Sequence, residues 1–268
     1  MLNGQCLQAY GFALRKLMFQ DIFKAIGNAE RKLFAHFGTT LMALLLYALL
    51  LAVAYAFLTT GERTATQVIL SLLVLPLLGV ILFFTLQSLG VSYTRVGVNA
   101  AYLLRRALSD CWKLLIVSLP LILLAWLLHY AYAKATGKLV YDQEHGWHGK
   151  TLNWLWMVFF YLALPLMAMH VWIAAVREGI GATFRKYLRH MIRAFAPRSL
   201  AVYVLAWIIN GLLAYLLLFA FKTQFGGPWV ELILLGLRMG LAALLVFMAW
   251  FVSLGALAEV TAPKENTT

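Results

Sequence analysis

Charge is scarce in this chain. Asp, Glu, Lys and Arg make up 12% of its 268 residues, about half the roughly 25% found in soluble domains. With 63% of residues hydrophobic and a mean hydropathy of +0.84, there is no room for a separate soluble domain. Acids are rarer still, ten against 22 Lys and Arg, for a formal net charge of +12. The carboxylates that a conventional ion-coupled transporter places at the membrane midplane are missing. Cysteine is confined to Cys6 and Cys111. Neither has an activating histidine or a metal partner nearby in sequence, so both read as small packing residues. Walker loop, dinucleotide fingerprint, HExxH and nucleophile elbow are all absent from the sequence. The expectation is therefore a protein that is not an enzyme and carries no cofactor. Positive charge often signals nucleic acid, but a polytopic protein carries Lys and Arg in its cytoplasmic loops. No nucleic-acid partner is expected.

What the chain has is long apolar runs. About 20 apolar residues cross a bilayer, and such runs occur at roughly 37–59, 67–89, 112–133, 152–176, 200–221 and 229–257. Trp112, Tyr130, Tyr132, Trp154, Trp156, Tyr203, Trp229 and Trp250 stand at their edges, where an aromatic belt belongs. The expected fold is all-α, a polytopic membrane helical bundle of six transmembrane helices forming one integral membrane domain over 1–268. The first 36 residues are amphipathic and charged, unlike a cleavable leader.

Charge asymmetry sets the orientation. The side holding both termini and the 90–113 and 177–198 connections has sixteen Lys and Arg, and the opposite side has five. Both termini are thus expected to be cytoplasmic, in a bacterial inner membrane. Cys6 and Cys111 fall on that same side, where thiols stay reduced.

The chain also repeats itself. Pro76 and Gly90 are spaced as Pro165 and Gly179 are. Three units, approximately 12–89, 90–178 and 179–260, each comprise a basic amphipathic cytoplasmic elbow helix, a span, a short outer loop and a returning span. Gly240 and Gly255 match the last unit more loosely. The first two elbows are "KAIGNAERKLFAHF" and "GVNAAYLLRRALSD". In the third, "GATFRKYLRHMIRAFAP", Phe184, Tyr187, Leu188, Met191, Ile192 and Phe195 form one apolar stripe at helical spacing. Arg185, Lys186, Arg189, His190 and Arg193 fall largely on the other side. A helix of this kind lies in the membrane interface, with its charges at lipid phosphates; the competing reading is a brace packed beneath the spans.

Carried chiefly by "LPLLGVILFFTLQSLG" and "LPLMAMHVWIAAVREG", this architecture resembles the membrane domain attached to some bacterial glycerophosphodiester phosphodiesterases. It is also similar to standalone bacterial integral membrane families built from the same parts. The 268 residues hold none of that catalytic domain, so the resemblance implies an association with envelope lipids and supplies no catalytic residue.

Candidate lipid-headgroup contacts are Arg185, Lys186, Arg189 and Arg193, with Arg105 and Arg106 of the second elbow. Glu231 and Arg238 are seven residues apart in the last span, and an ionisable residue in a span raises a functional site by default. Alternatively Arg238 snorkels to the outer interface with Glu231 as partner, in which case Arg238→Leu leaves folding intact. His170 and Asn210 are expected to hydrogen-bond between helices more than to relay protons. Gln87 and Ser88, at a span end, carry no expectation. The outer loop "YDQEHGWHGK" groups Asp142, Glu144, His145 and His148, residue types that can ligate a divalent metal. Its glycines and nearby Lys138 and Lys150 favour a solvated polar loop, and no metal is expected.

Two functions remain open. One is a lipid-engaging protein that binds, positions or moves phospholipid, especially anionic phospholipid, or another amphiphile. The other is a structural or accessory subunit, with a membrane-protein partner or a second copy of this chain. Small residues in "GLRMGLAALL" and "SLGALA" permit close helix approach under either.

Overall fold

The computed structural model describes residues 20–61, 63–94, 99–137, 147–220 and 227–262, except for the side chain of His148. Among the described residues it is an all-α helical bundle without strands. Helix α1 covers 20–35. The candidate spans are α2 (Phe37–Thr59), α3 (Ala65–Ser92), α4 (Ala100–Thr136) and α5 (Gly149–Glu178). Two short helices follow, α6 (Ile180–Arg185) and α7 (Tyr187–Ala194). The last two spans are α8 (Pro197–Ala220) and α9 (Pro228–Val260). Six helices long and apolar enough to cross a bilayer make this a multi-pass integral membrane protein. Leu, Ile and Phe side chains stand exposed along all six spans, an arrangement suited to lipid and not to water.

The second elbow is not set off from its span. Ala100–Thr136 is a single helix of 37 residues, about 55 Å at 1.5 Å per residue, against a hydrocarbon core of about 30 Å. Its first turns carry Arg105 and Arg106. Pro76 and Pro165 share a local device. A five-residue π turn, Leu70–Val74 or Phe159–Ala163, immediately precedes each Leu-Pro pair. Leu75 N–H donates to Leu70 C=O and Leu164 N–H to Phe159 C=O. Proline removes a helix donor and its ring crowds the preceding turn, and the wider π register makes room there. The paired glycines differ in role. Gly90 lies inside a helix, where a Cβ would stand 2.7 Å from Leu254 Cδ2. Gly179 ends α5 with φ +82°, a backbone state that favours glycine.

The described residues fall into two compact units. The first comprises α1, α2 up to Leu51, the stretch Gly90–Leu103, and α8 with α9. There α8 packs along α9. The Tyr93 ring stacks on Phe251 at 4.8 Å, and its hydroxyl lies 3.4 and 3.5 Å from the carbonyls of Ala29 and Phe251. Burial, then the nearby Glu259 and Glu30, push that hydroxyl's pKa up, which keeps it a donor. Gly255 leaves room for the ring: a Cβ there would lie 2.6 Å from Tyr93 Cζ. "SLGALA" thus allows close approach. In "GLRMGLAALL", by contrast, Gly236 and Gly240 face nothing within 4 Å.

The second unit comprises Ala52–Leu89 and Leu104–Ala196. Its α5 is buried without interruption from Leu166 to Ala175, the pattern of a helix covered on every side. Trp172 Nε1 donates to Ser118 Oγ at 2.7 Å, and Phe83 and Phe84 meet the Trp172 ring edge-on at 6.0 and 6.2 Å. Tyr203, in the first unit and expected in the aromatic belt, is instead buried with its ring tilted against Trp207 at 6.1 Å.

Candidate membrane-interface site

The three basic stretches end in three different environments. Helix α1 is held by protein. Ile22, Ala25, Ile26, Ala29 and Leu33 form its buried face, at the i, i+3, i+4, i+7, i+11 spacing of a helix laid on a core. Its polar groups find protein partners: Asn28 Nδ2 donates to Glu259 Oε1 at 3.0 Å, and Lys32 Nζ lies 3.6 Å from Glu259 Oε2. Lys32 also donates to the Thr94 carbonyl at 3.0 Å, and Arg198 reaches Asp21 at 3.4 Å.

The second stretch is partly neutralised. Asp110 is buried and accepts from Lys113 Nζ at 2.6 Å, with Arg106 Nε at 3.8 Å. Arg106 is thus committed to a carboxylate at i+4, while Arg105 is exposed.

The third stretch differs from both. Gly179 starts it, and Thr183 Oγ1 donates back to the Gly179 carbonyl at 2.7 Å. A break at Lys186 (φ −114°, ψ 17°) divides α6 from α7. Helix α7 packs on the C-terminal half of α5, Leu164–Glu178, through His190 and Ala194, which are buried, and through half-buried Tyr187. Tyr187 donates its hydroxyl to the Val117 carbonyl at 2.7 Å, and burial pushes its pKa up to about 12. Val117 lies one turn before Pro120 in α4, where a proline ring disturbs the carbonyl ladder.

This rotates the helix relative to the sequence reading. His190, assigned to the basic face, points inward instead, with Nε2 lacking a hydrogen-bond partner among the described residues. Burial pushes its pKa below the ordinary histidine value; Glu178 pulls it up, and Arg193, Lys186 and Arg189 push it down. Most of the apolar stripe points out. Leu188 is 69% exposed, Ile192 65%, Phe195 46% and Phe184 42%. Beside that stripe lie the exposed Arg185, Arg189 and Arg193. Lys186 is tied to Glu178 at 3.4 Å, so an acid just outside the segment offsets one of its cations. Arg185, Lys186, Leu188, Arg189, Ile192 and Arg193 line an open groove of about 520 Å³.

The intramembrane polar residues are accounted for differently from the sequence expectation. Arg238 Nε and Nη2 donate to the carbonyls of Leu217 and Leu218, each at 2.9 Å. These carbonyls belong to the π turn Leu216–Ala220 that ends α8. A helix C-terminus leaves carbonyls unsatisfied and carries partial negative charge, so a guanidinium is stabilised there. Glu231 forms no ion pair with Arg238; it is exposed in the first turn of α9, where the helix dipole favours an anion. Asn210 does not bridge helices through its amide nitrogen, which donates to Ala206 C=O of its own helix at 3.2 Å. His170 is buried in α5.

Gln87 and Ser88 are buried rather than peripheral, as are Thr85 and Ser92. The Thr85, Ser88 and Ser92 hydroxyls have no hydrogen-bond partner among the described residues. Their i, i+3, i+7 spacing could have disclosed a polar lane along one face. Cys111 is a free thiol, and Cys6 lies outside the described residues. Asp142, Glu144, His145 and the side chain of His148 lie outside them too. Among the described residues, no three His, Cys, Asp or Glu side chains group as a metal site. Compared with protein-family models, curated proteins and solved structures, the chain matches none.

Proposed function

We propose that this protein engages anionic phospholipid at the cytoplasmic leaflet of a bacterial inner membrane, holding, positioning or moving it without a catalytic step of its own. Both termini lie in the cytoplasm under this reading, and the architectural resemblance to phosphodiesterase membrane domains is consistent with a role among envelope lipids. One observation carries the proposal: the apolar stripe of α6 and α7 is left uncovered beside a row of arginines. In α1 the corresponding stripe is buried against protein, and its lysine and asparagine meet a carboxylate. Acyl chains would cover Leu188 and Ile192 while phosphates meet Arg185, Arg189 and Arg193.

Each basic residue near an anionic leaflet contributes about 1 kcal/mol. Changing Arg185, Lys186 and Arg189 together to Glu should therefore weaken retention of anionic lipid by about a hundred-fold or more at low salt, and less at high salt. Native mass spectrometry of the purified protein with defined lipid measures this. Unchanged retention would make the helix a brace whose charges only set topology.

A second reading, an accessory subunit of a larger membrane assembly, is favoured by Gly236 and Gly240. They are exposed four residues apart in α9, and a Cβ at either would meet nothing within 4 Å among the described residues outside its own helix backbone; such spacing admits another helix closely. Protein recovered with the solubilised chain in place of lipid would support that alternative.

A further inference from the structure

We infer that a cleft between the first half of α1, the start of α8 and the end of α9 binds a phosphoethanolamine group. Such a group joins a primary ammonium to a phosphate, and is carried by phosphatidylethanolamine or by free phosphoethanolamine. The inference does not rest on the anionic-lipid reading, which concerns α6 and α7. Every lining residue belongs to the first unit. The cleft holds about 230 Å³, below the roughly 300–1,000 Å³ of sites for drug-sized ligands and suited to a headgroup. Arg198 stands in the first turn of α8 and Glu259 in the last turn of α9. Both helices are candidate spans, so the cleft lies at the height of lipid headgroups.

Both signs of charge line it: Arg198 and Lys24 against Glu259 and Asp21. Glu259 Oε1 accepts from Asn28 Nδ2 at 3.0 Å. Its other oxygen, Oε2, is buried and accepts no hydrogen bond among the described residues, with the Lys32 ammonium at 3.6 Å. A carboxylate can accept several donors, and a buried acceptor left unmatched is costly until a donor arrives. A ligand ammonium brings N–H donors, and Asp21 offers it a second carboxylate. Asp21 otherwise meets Arg198 at 3.4 Å, in a pair exposed on both sides. Exposed pairs contribute little, so exchanging this one for a ligand with both charges costs little. The freed guanidinium forks onto the phosphate, with exposed Lys24 lining the same cleft. The helix ends reinforce the division, α8 presenting its positive terminus beside Arg198 and α9 its negative terminus beside Glu259. Among the described residues no aromatic side chain lines the cleft. A quaternary ammonium is held by aromatic faces and has no N–H to give Glu259, so the primary amine is the better ligand.

Native mass spectrometry of the detergent-purified full chain tests this with phosphatidylethanolamine and phosphatidylcholine of matched acyl chains. The two differ only in the methyl groups that replace the ammonium hydrogens. Half-occupancy by phosphatidylethanolamine is expected at a concentration lower by about tenfold or more, the effect of one hydrogen bond to a charged group. Glu259→Gln should reduce that preference to within about twofold, and Asp21→Asn, at an exposed site, should reduce it in part. Arg198→Gln should weaken both lipids by a similar factor, since both carry the phosphate. Lys134→Gln, at an exposed cation set over the Tyr130 ring, should change neither. Loss of bound phosphatidylethanolamine to equimolar free phosphoethanolamine would make the soluble compound the ligand of this cleft, and its retention would make it the lipid. Equal half-occupancy by the two lipids in the unaltered protein would overturn the inference and leave the anionic-lipid reading untouched. A preference that survives both Glu259→Gln and Asp21→Asn would overturn it as well.

Discussion

Two glycines of α9 provide an internally controlled test of the packing. At Gly255 an added methyl would lie 2.6 Å from Tyr93 Cζ and 2.7 Å from Cε1. The ring cannot swing away freely: it is 3% exposed and stacked on Phe251 at 4.8 Å. Overpacking of this kind costs about 1–3 kcal/mol. At Gly240 the same methyl meets nothing within 4 Å. Both changes gain the same helix propensity, about 1 kcal/mol for Gly to Ala, so that contribution cancels in the comparison. Gly255→Ala should therefore be less stable than Gly240→Ala by about 1–3 kcal/mol. At about 2–4 °C per kcal/mol, their melting temperatures should differ by several degrees. Thermal unfolding in detergent, followed by size-exclusion chromatography of the heated samples, measures the gap. Equal melting temperatures would refute the close approach of Tyr93 to α9.

Other consequences follow from the polar groups. Arg238→Leu, which the sequence reading expected to be harmless, should destabilise the protein by about 1.5–3 kcal/mol per charged hydrogen bond removed, because Arg238 donates to both the Leu217 and Leu218 carbonyls. Arg238→Lys should recover part of the loss, and a melting temperature unchanged in the Leu variant would refute the capping role. Acidification should loosen α7. His190 has its pKa lowered in the packed state from the ordinary 6.5, so the packing it supports is complete above that value. As pH falls below it, the released state takes up a proton that the packed state resists, and packing weakens until the packed pKa is reached. Protection factors of the amides in 187–194, corrected for the intrinsic pH dependence of exchange, should fall at pH 5 relative to pH 7.5, with the dependence flattened in His190→Gln; the same fall in that variant would exclude His190 as the cause.

The spans were legible because their signal is one-dimensional: a run of apolar residues must cross or be covered, and its length fixes the choice. The basic residues of α6 and α7 were visible for the same reason. Their orientation was not. Periodicity identifies an apolar stripe, but in a membrane the apolar side can face lipid as readily as protein, and His190 with Ala194 took the inward position. The Asp110 pairings with Arg106 and Lys113 at i+4 and i+3 lay within reach of pattern reasoning. The partners of Glu259 and Arg238 did not: Asn28 is 231 residues from Glu259 in sequence, and Leu217 is 21 from Arg238. Nothing local announced the π turn whose carbonyls Arg238 caps.

The central claim, that the outward stripe of α6 and α7 lies in the acyl boundary, is tested most directly by depth. In a Cys6→Ser, Cys111→Ser background, nitroxide labels at Leu188→Cys, Ile192→Cys and Arg189→Cys are compared in anionic nanodiscs by oxygen and nickel-chelate accessibility. The account predicts that the labels at 188 and 192 sit about 5–10 Å below the headgroup boundary, reached by oxygen and shielded from the nickel chelate. The label at 189 should sit at the phosphate level. Nickel accessibility at 188 and 192 equal to that of a water-exposed site would contradict it.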